Sequence, residues 1–179
     1  MFREDEVLEI DSTDRLILEI LQNTGRMTNR ELAKKVGLSP APCWHRVKRL
    51  EQTGMINHYV AVLDNKLAGQ HFRAMVGVNL VSRSNAARED FENRVAEMAN
   101  VLACHQLSAD VEYHLFVTAA DQDALDEFLE NTLLAIPGLS HAYTRISLKE
   151  IKRSSALPLD AIAEKLPARA EAAGSRIKS

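Results

Sequence analysis

A helix stop and a helix start stand back to back at Val36-Gly37-Leu38-Ser39-Pro40, and no other feature of the chain restricts its fold so tightly. Glycine suits the left-handed residue that ends a helix. Ser39 offers an N-cap oxygen, and Pro40 falls at the first helical position, where its missing N–H costs nothing. The Gly37-Leu38 connection leaves room only for a tight turn between two helices. Upstream, Thr28 and Glu31 form a T-x-x-E capping box for a short helix with Leu32, Ala33 and Val36 on its inner face. Before it, Ser12 or Thr13 can cap a helix whose apolar positions Leu16, Ile17, Ile20 and Leu21 repeat at helical spacing, with Gly25 beyond its end. Gly54 ends the third helix.

On that third helix, at about 100° per residue, Cys43, Val47 and Leu50 point one way while Ala41, His45, Lys48 and Arg49 point the other. A helix, a tight glycine turn and a capped helix with a small and basic outer face form a helix-turn-helix, whose second helix fits the major groove. The formal net charge of −3 argues against a nucleic-acid partner only as an average. Residues 1–62 hold 9 basic and 9 acidic side chains, 63–150 hold 7 and 13, and 151–179 hold 6 and 3. Between Arg26 and Arg49 the balance is +6, because only Glu31 opposes seven basic residues. The expected DNA-binding set is Thr28, Asn29, Ser39, Ala41, His45, Arg46, Lys48 and Arg49, contacting phosphates and base edges.

Past Gly54 the run Ile56 to Leu63 is rich in strand formers and reads as a wing or linking strand. Then the period changes. Ala74, Val76, Val78 and Leu80 alternate with polar or small residues, Phe91, Val95 and Met98 recur at helical spacing, and Leu102 to Leu107 is a short strand. Tyr113, Leu115, Val117 and Ala119 alternate again; Leu125, Phe128, Leu129 and Thr132 return to a helical period that Pro137-Gly138 ends; Ala142 to Leu148 makes a last strand. The order β-α-β-β-α-β predicts a ferredoxin-like antiparallel sheet with two helices on one face, so the chain as a whole is α+β. Its other sheet face needs cover, and a second copy of the chain is the obvious candidate. The expected divisions are an acidic extension (1–11), the helix-turn-helix domain with its linking strand (12–63), a linker (64–72), the βαββαβ domain (73–152) and a tail (153–179) that is a terminal helix or frayed.

Other classes fall away. Cys43 and Cys104 form no CxxC pair, so no disulfide framework or cysteine zinc site is expected, and Cys43 shares the core face with Val47 and Leu50. Cys104 and His105 are strand neighbours and point to opposite faces, which disfavours a metal site with His114 and His141. No P-loop, GxGxxG, HExxH or nucleophile elbow is present, so neither enzyme nor cofactor is indicated. No run approaches the roughly 20 apolar residues of a membrane span, and the acidic start is unlike a signal peptide, so a cytoplasmic protein is expected.

The sequence resembles the Lrp/AsnC (leucine-responsive/asparagine-type, feast/famine) transcriptional regulators over about residues 11 to 159. The resemblance is carried by Asp14-Arg15-Leu16-Ile17-Leu18, by Gly37 through Glu51 with its Pro40-Ala41-Pro42-Cys43 core, by Gly54-Met55-Ile56, by Cys104 through Leu115, and by Leu134-Ala135-Ile136-Pro137-Gly138-Leu139. It implies control of amino-acid metabolism or transport genes, a homodimer built through the C-terminal sheets, assembly to a tetramer or octamer, and a small amino-acid effector near the loop between the second and third strands. Carried over by position, that loop is Ser108, Ala109, Asp110, Val111, Glu112 and Tyr113. Ala109 stands where the family normally has glycine, and alanine narrows both the positive-φ option and close approach by a ligand. Free N–H groups of such a turn suit an α-carboxylate, and Asp110 or Glu112 suits an α-amino group; alternatively these carboxylates only punctuate a hairpin. Proteins resembling these regulators include sirohaem decarboxylases, which use C-terminal-domain histidines on a tetrapyrrole, so an enzyme on the same scaffold is the alternative; the basic helix face favours the regulator.

Overall fold

The computed structural model describes residues 8–108, 111–160, 162 and 165–166. The chain divides into two compact units, Met1–Val62 with Arg153–Ser179, and Leu63–Lys152.

The first unit holds β1 (Leu8–Glu9), α1 (Ser12–Asn23), α2 (Asn29–Lys35) and α3 (Pro40–Gln52). Asp11, rather than Ser12 or Thr13, caps α1. Its carboxylate accepts the Asp14 N–H at 2.8 Å while the Asp14 carboxylate accepts the Asp11 N–H at 3.2 Å, a reciprocal capping box made of two aspartates. Thr28 and Glu31 form the expected box on α2, and Gly37 (φ 72°) and Gly54 (φ 73°) take the left-handed conformation that ends α2 and α3. Ser39 sits at the N-cap of α3 but makes no side-chain cap bond. Pro42, at the third helical position, removes one of the two N–H groups such a cap would serve. Ile10, Ile17, Leu18, Leu32, Ala33, Cys43 and Leu50 are the buried core.

The run Ile56–Leu63 takes no place in a sheet ladder, contrary to the expected linking strand, and Tyr59, Val60, Val62 and Leu63 stay exposed. High strand propensity needs an edge to pair with, and among the described residues no strand pairs with this run. The start of the tail is neither helical nor frayed. Leu159 and Ile162 pack against the core around α1, and β6 (Lys165–Leu166) pairs antiparallel with β1. The rest of the expected tail lies outside the described residues.

The second unit holds β2 (Phe72–Leu80), α4 (Asn85–Ala96), β3 (Val101–Gln106), β4 (Tyr113–Ala119), α5 (Gln122–Phe128) with a π-helical turn over Leu129–Leu133, and β5 (Leu139–Ile146). The strands form one antiparallel sheet in the order β3-β4-β2-β5, so the βαββαβ arrangement read from the alternation is the one observed. Ala74, Val76, Val78, Leu115 and Val117 meet Phe91 and Val95 of α4 and Leu125 and Phe128 of α5, which puts both helices over one sheet face. The last strand starts earlier than expected, directly after Gly138 (φ 87°). On the opposite face, register aligns His105, His114, Gly77 and Tyr143 in one row and Phe116, Met75 and Arg145 in the next.

Candidate nucleic-acid interface and effector loop

The first unit presents α3 with Ala41, His45 and Lys48 exposed along one side. Lys48 lies only loosely against Glu51, at 3.8 Å on an exposed face, a pairing worth little. The Trp44 side chain is 50% exposed and meets the His45 ring edge-on at 5.0 Å. It flanks the outer face of the helix. Thr28 is occupied in its capping box, and the Asn29 side-chain amide donates to the Pro40 carbonyl at 2.8 Å, clasping the start of α3 to α2. Both residues therefore lie beside the N-terminus of α3, with their best polar groups engaged within the fold.

Arg46 and Arg49 are placed differently from His45 and Lys48. Arg46 Nη1 donates to Asp14 Oδ1 at 2.9 Å and to Asp11 Oδ2 at 2.7 Å, and Arg49 Nη2 donates to Asp14 Oδ2 at 2.5 Å. The Asp14 side chain is fully buried, while those of Arg46 and Arg49 are 31% and 43% exposed. Burial works to raise the Asp11 carboxyl, but the Asp14 N–H and the Arg46 guanidinium together hold it below the ordinary value of 3.8. Arg46 is raised in turn, chiefly by its bond to Asp14. Sequence reading placed Arg49 on the basic face and both arginines in the DNA-binding set, and missed their acidic partners. The pairs are 32 and 35 residues apart, and no periodicity connects them. Cys43 is buried beneath the helix, and burial pushes its thiol up, away from reactivity.

In the second unit, the loop between β3 and β4 is where the family resemblance puts the effector. Ala109 and Asp110 lie outside the described residues. Ser108 is exposed, and Val111 lies over Gly77, where a Cβ would come within 2.8 Å of Val111 Cγ1. Glycine at 77 is thus a close-approach position. Glu112 is buried. Its Oε1 accepts from Arg88 Nε at 3.0 Å, its N–H donates to Asn79 Oδ1 at 2.6 Å, and its carbonyl accepts the Leu107 N–H at 2.7 Å. Tyr113 is buried against Phe91, its hydroxyl donates to Glu92 Oε1 at 2.7 Å, and burial with Glu92 holds that hydroxyl in its protonated form. The structure therefore brings Ser108 and Val111 to the loop surface, and turns Glu112 and Tyr113 inward to anchor it. Arg88, Asn79 and Gly77 were not foreseen as partners. The Cys104 thiol faces the core and is pushed up to about 11, first by burial and then by Glu92.

Residues 10–57 match the winged helix-turn-helix DNA-binding family, and residues 73–157 match the Lrp/AsnC ligand binding domain. The leucine-responsive regulatory protein of Escherichia coli K12 is 36% identical over 149 residues, covering 83% of this chain and 91% of that protein. Among solved structures, a transcriptional regulator from Neisseria meningitidis in complex with L-Met shares 38% identity at a TM-score of 0.81, over 84% of this chain and 97% of that one. An AsnC family transcriptional regulator from Agrobacterium tumefaciens shares 33% identity at a TM-score of 0.82, over 86% and 100%.

Proposed function

The chain belongs to the Lrp/AsnC family of DNA-binding transcriptional regulators, and from that premise we propose that it controls genes of amino-acid metabolism or transport in response to a small amino-acid-like effector. It is a regulator and not an enzyme, so the tetrapyrrole decarboxylase alternative falls with the kinds of relatives it matches. Its site of action is the cytoplasm, which agrees with the finding that no described helix is long and apolar enough to cross a membrane.

α3 is the helix that enters the major groove, with Ser39, Ala41, His45 and Lys48 at the duplex, Thr28 and Asn29 beside its N-terminus, and Arg46 and Arg49 on its flank. The observation that carries this reading is the unencumbered outer side of α3, small at Ala41 and cationic at Lys48. Two copies join through the sheet face that carries no helix, where Phe116 and Tyr143 remain 40% and 55% exposed, and dimers assemble to tetramers or octamers. The effector sits at Ser108, Ala109, Asp110 and Val111, over the anchor made by Glu112 and Tyr113. The neisserial relative's complex with L-Met makes amino acids the first ligands to test.

The test has two arms. A duplex enriched by this protein from a randomised pool should bind with affinity that falls steeply as salt rises, by about 0.9 in log K per log salt for each phosphate contact. Thermal unfolding in each of the twenty amino acids should show a rise of RT ln(1 + [L]/Kd) for the effector alone. Salt-insensitive binding defeats the first arm, and unfolding unmoved by all twenty defeats the second.

A further inference from the structure

Seven basic residues crowd the stretch from Arg26 to Arg49, and the structure divides those on α3 into two kinds. Lys48 points to solvent with one weak partner, and His45 stands exposed beside Trp44. Arg46 and Arg49, one turn apart, converge on the two oxygens of a single carboxylate that is fully buried. Asp11 adds a second acceptor for Arg46, and the reciprocal Asp11–Asp14 capping box fixes both acids to the first turn of α1.

Two attachments from successive turns to one fixed point determine how α3 is rolled about its own axis. Moving either arginine to a DNA phosphate leaves the fully buried Asp14 charge with one guanidinium and the Asp11 N–H in place of two guanidiniums, which is costly. The arginines therefore stay where they are when DNA binds, and the roll they impose decides which side chains reach the groove. At about 100° per residue, the direction opposite the Cys43–Leu50 core is that of Ala41, His45 and Lys48.

We infer that Asp14 is the positioning residue of the DNA interface: through Arg46 and Arg49 it sets the roll of α3, and those arginines act as struts while His45 and Lys48 meet the duplex. This rests on α3 being the groove-facing helix, as proposed above. A strut and a phosphate contact differ in one measurable respect. Losing a phosphate contact lowers the salt slope of binding, whereas losing a strut lowers affinity at constant slope.

The experiment measures, on the full chain, binding to the duplex selected from a randomised pool and to a mixed-sequence duplex of equal length, each across a salt series. Lys48→Gln should reduce the slope by about 0.9. Arg46→Gln, Arg49→Gln and Asp14→Asn should leave the slope unchanged and weaken the selected duplex tenfold or more, with the mixed-sequence duplex within about twofold, since non-specific binding does not need an exact roll. A fold that is merely damaged weakens both duplexes by the same factor, and that result overturns the inference. So does a slope reduced by about 0.9 in either arginine variant. Where a glutamine variant fails to fold, Arg49→Lys decides. A strut loses selected-duplex affinity because a lysine ammonium, on an unbranched stem of different reach, does not hold Asp14 Oδ2 from the same roll of α3 as Arg49 Nη2 does, while a phosphate contact keeps both affinity and slope. If the wild-type chain enriches no duplex, the interface reading itself falls and takes this inference with it; if it enriches one and Lys48→Gln alone leaves the slope unmoved, only the assignment of the reading side falls.

Discussion

Gln22 and Leu157, 135 residues apart, pair as two strands would: the Leu157 N–H donates to Gln22 Oε1 at 2.6 Å, and Gln22 Nε2 donates to the Leu157 carbonyl at 3.2 Å. A side-chain amide at the end of α1 thereby captures the backbone of the returning tail. Arg15 repeats the device two turns nearer the start of α1 on the same face, its Nη2 donating to the Ile162 carbonyl at 2.8 Å. Between these two points Leu159 joins the core, so the helix-turn-helix unit is closed by residues that follow the whole second unit in sequence.

The tail is thus predicted to be part of the DNA-binding unit's stability. Gln22→Ala removes two partly solvated hydrogen bonds and should cost about 1–2 kcal/mol. Ending the chain after Ala156 removes in addition the packing of Leu159 and Ile162, for a loss of about 3 kcal/mol or more. Thermal unfolding and hydrogen exchange at α1 amides measure both, and α1 protection that is unchanged by the truncation contradicts the assignment.

The anchor beneath the effector loop gives a second prediction. Arg88→Met leaves the buried Glu112 carboxylate without its guanidinium. Because the Arg88 side chain is one-third exposed, the full buried-pair cost does not apply and the loss should be about 2 kcal/mol. Urea unfolding of the full chain reads it. Exposed ion-pair behaviour, with a change under about 0.5 kcal/mol, means Glu112 does not hold the loop.

Gly77 and Val111 make a paired prediction. Gly77→Ala places a methyl 2.8 Å from Val111 Cγ1, and should destabilise the second unit by about 1–3 kcal/mol through overpacking. Adding Val111→Ala opens the space and should recover most of that loss. Independent, additive effects of the two substitutions show that the contact does not limit position 77.

Asp11 sets a pH dependence. Its folded value lies below the ordinary 3.8, so its contribution is fully present above that value and is lost as pH falls through the lower, folded value. Thermal stability of the first unit should fall more steeply as pH drops below the ordinary 3.8 in the natural chain than in Asp11→Asn. Equal slopes in that window contradict the role given to the Asp11–Arg46 pair.

Local chemistry was legible in the sequence and distant pairing was not. The Thr28–Glu31 box, the left-handed Gly37 and Gly54, and the alternation Tyr113-Leu115-Val117-Ala119 each depend on neighbours a few residues away, and the structure keeps all of them. Ser12 and Thr13 outranked Asp11 as caps because an aspartate at the N3 position is a less familiar half of a capping box than glutamate. The run Ile56–Leu63 has strand-forming residues but pairs with no strand among the described residues, so composition alone overstated it. Leu157 and Leu159 carry no helical period because they serve an extended strap whose partners lie on α1. At the candidate interface, Lys48 and His45 were legible from the helical wheel. The division of labour with Arg46 and Arg49 was not, since it depends on Asp14 across the fold.

The central claim is that the outer side of α3, and not the unit's surface at large, binds duplex DNA. Reversing it at two exposed positions, Ala41→Glu with Lys48→Glu, leaves Cys43, Leu50 and the Asp14 ion cluster untouched. The measurement is binding of this double variant to the duplex the wild-type chain selects from a randomised pool, with unfolding followed in parallel. The account predicts an unchanged unfolding temperature and an affinity lowered at least a hundredfold. A variant that is equally folded and binds the selected duplex as tightly as the wild-type chain contradicts it.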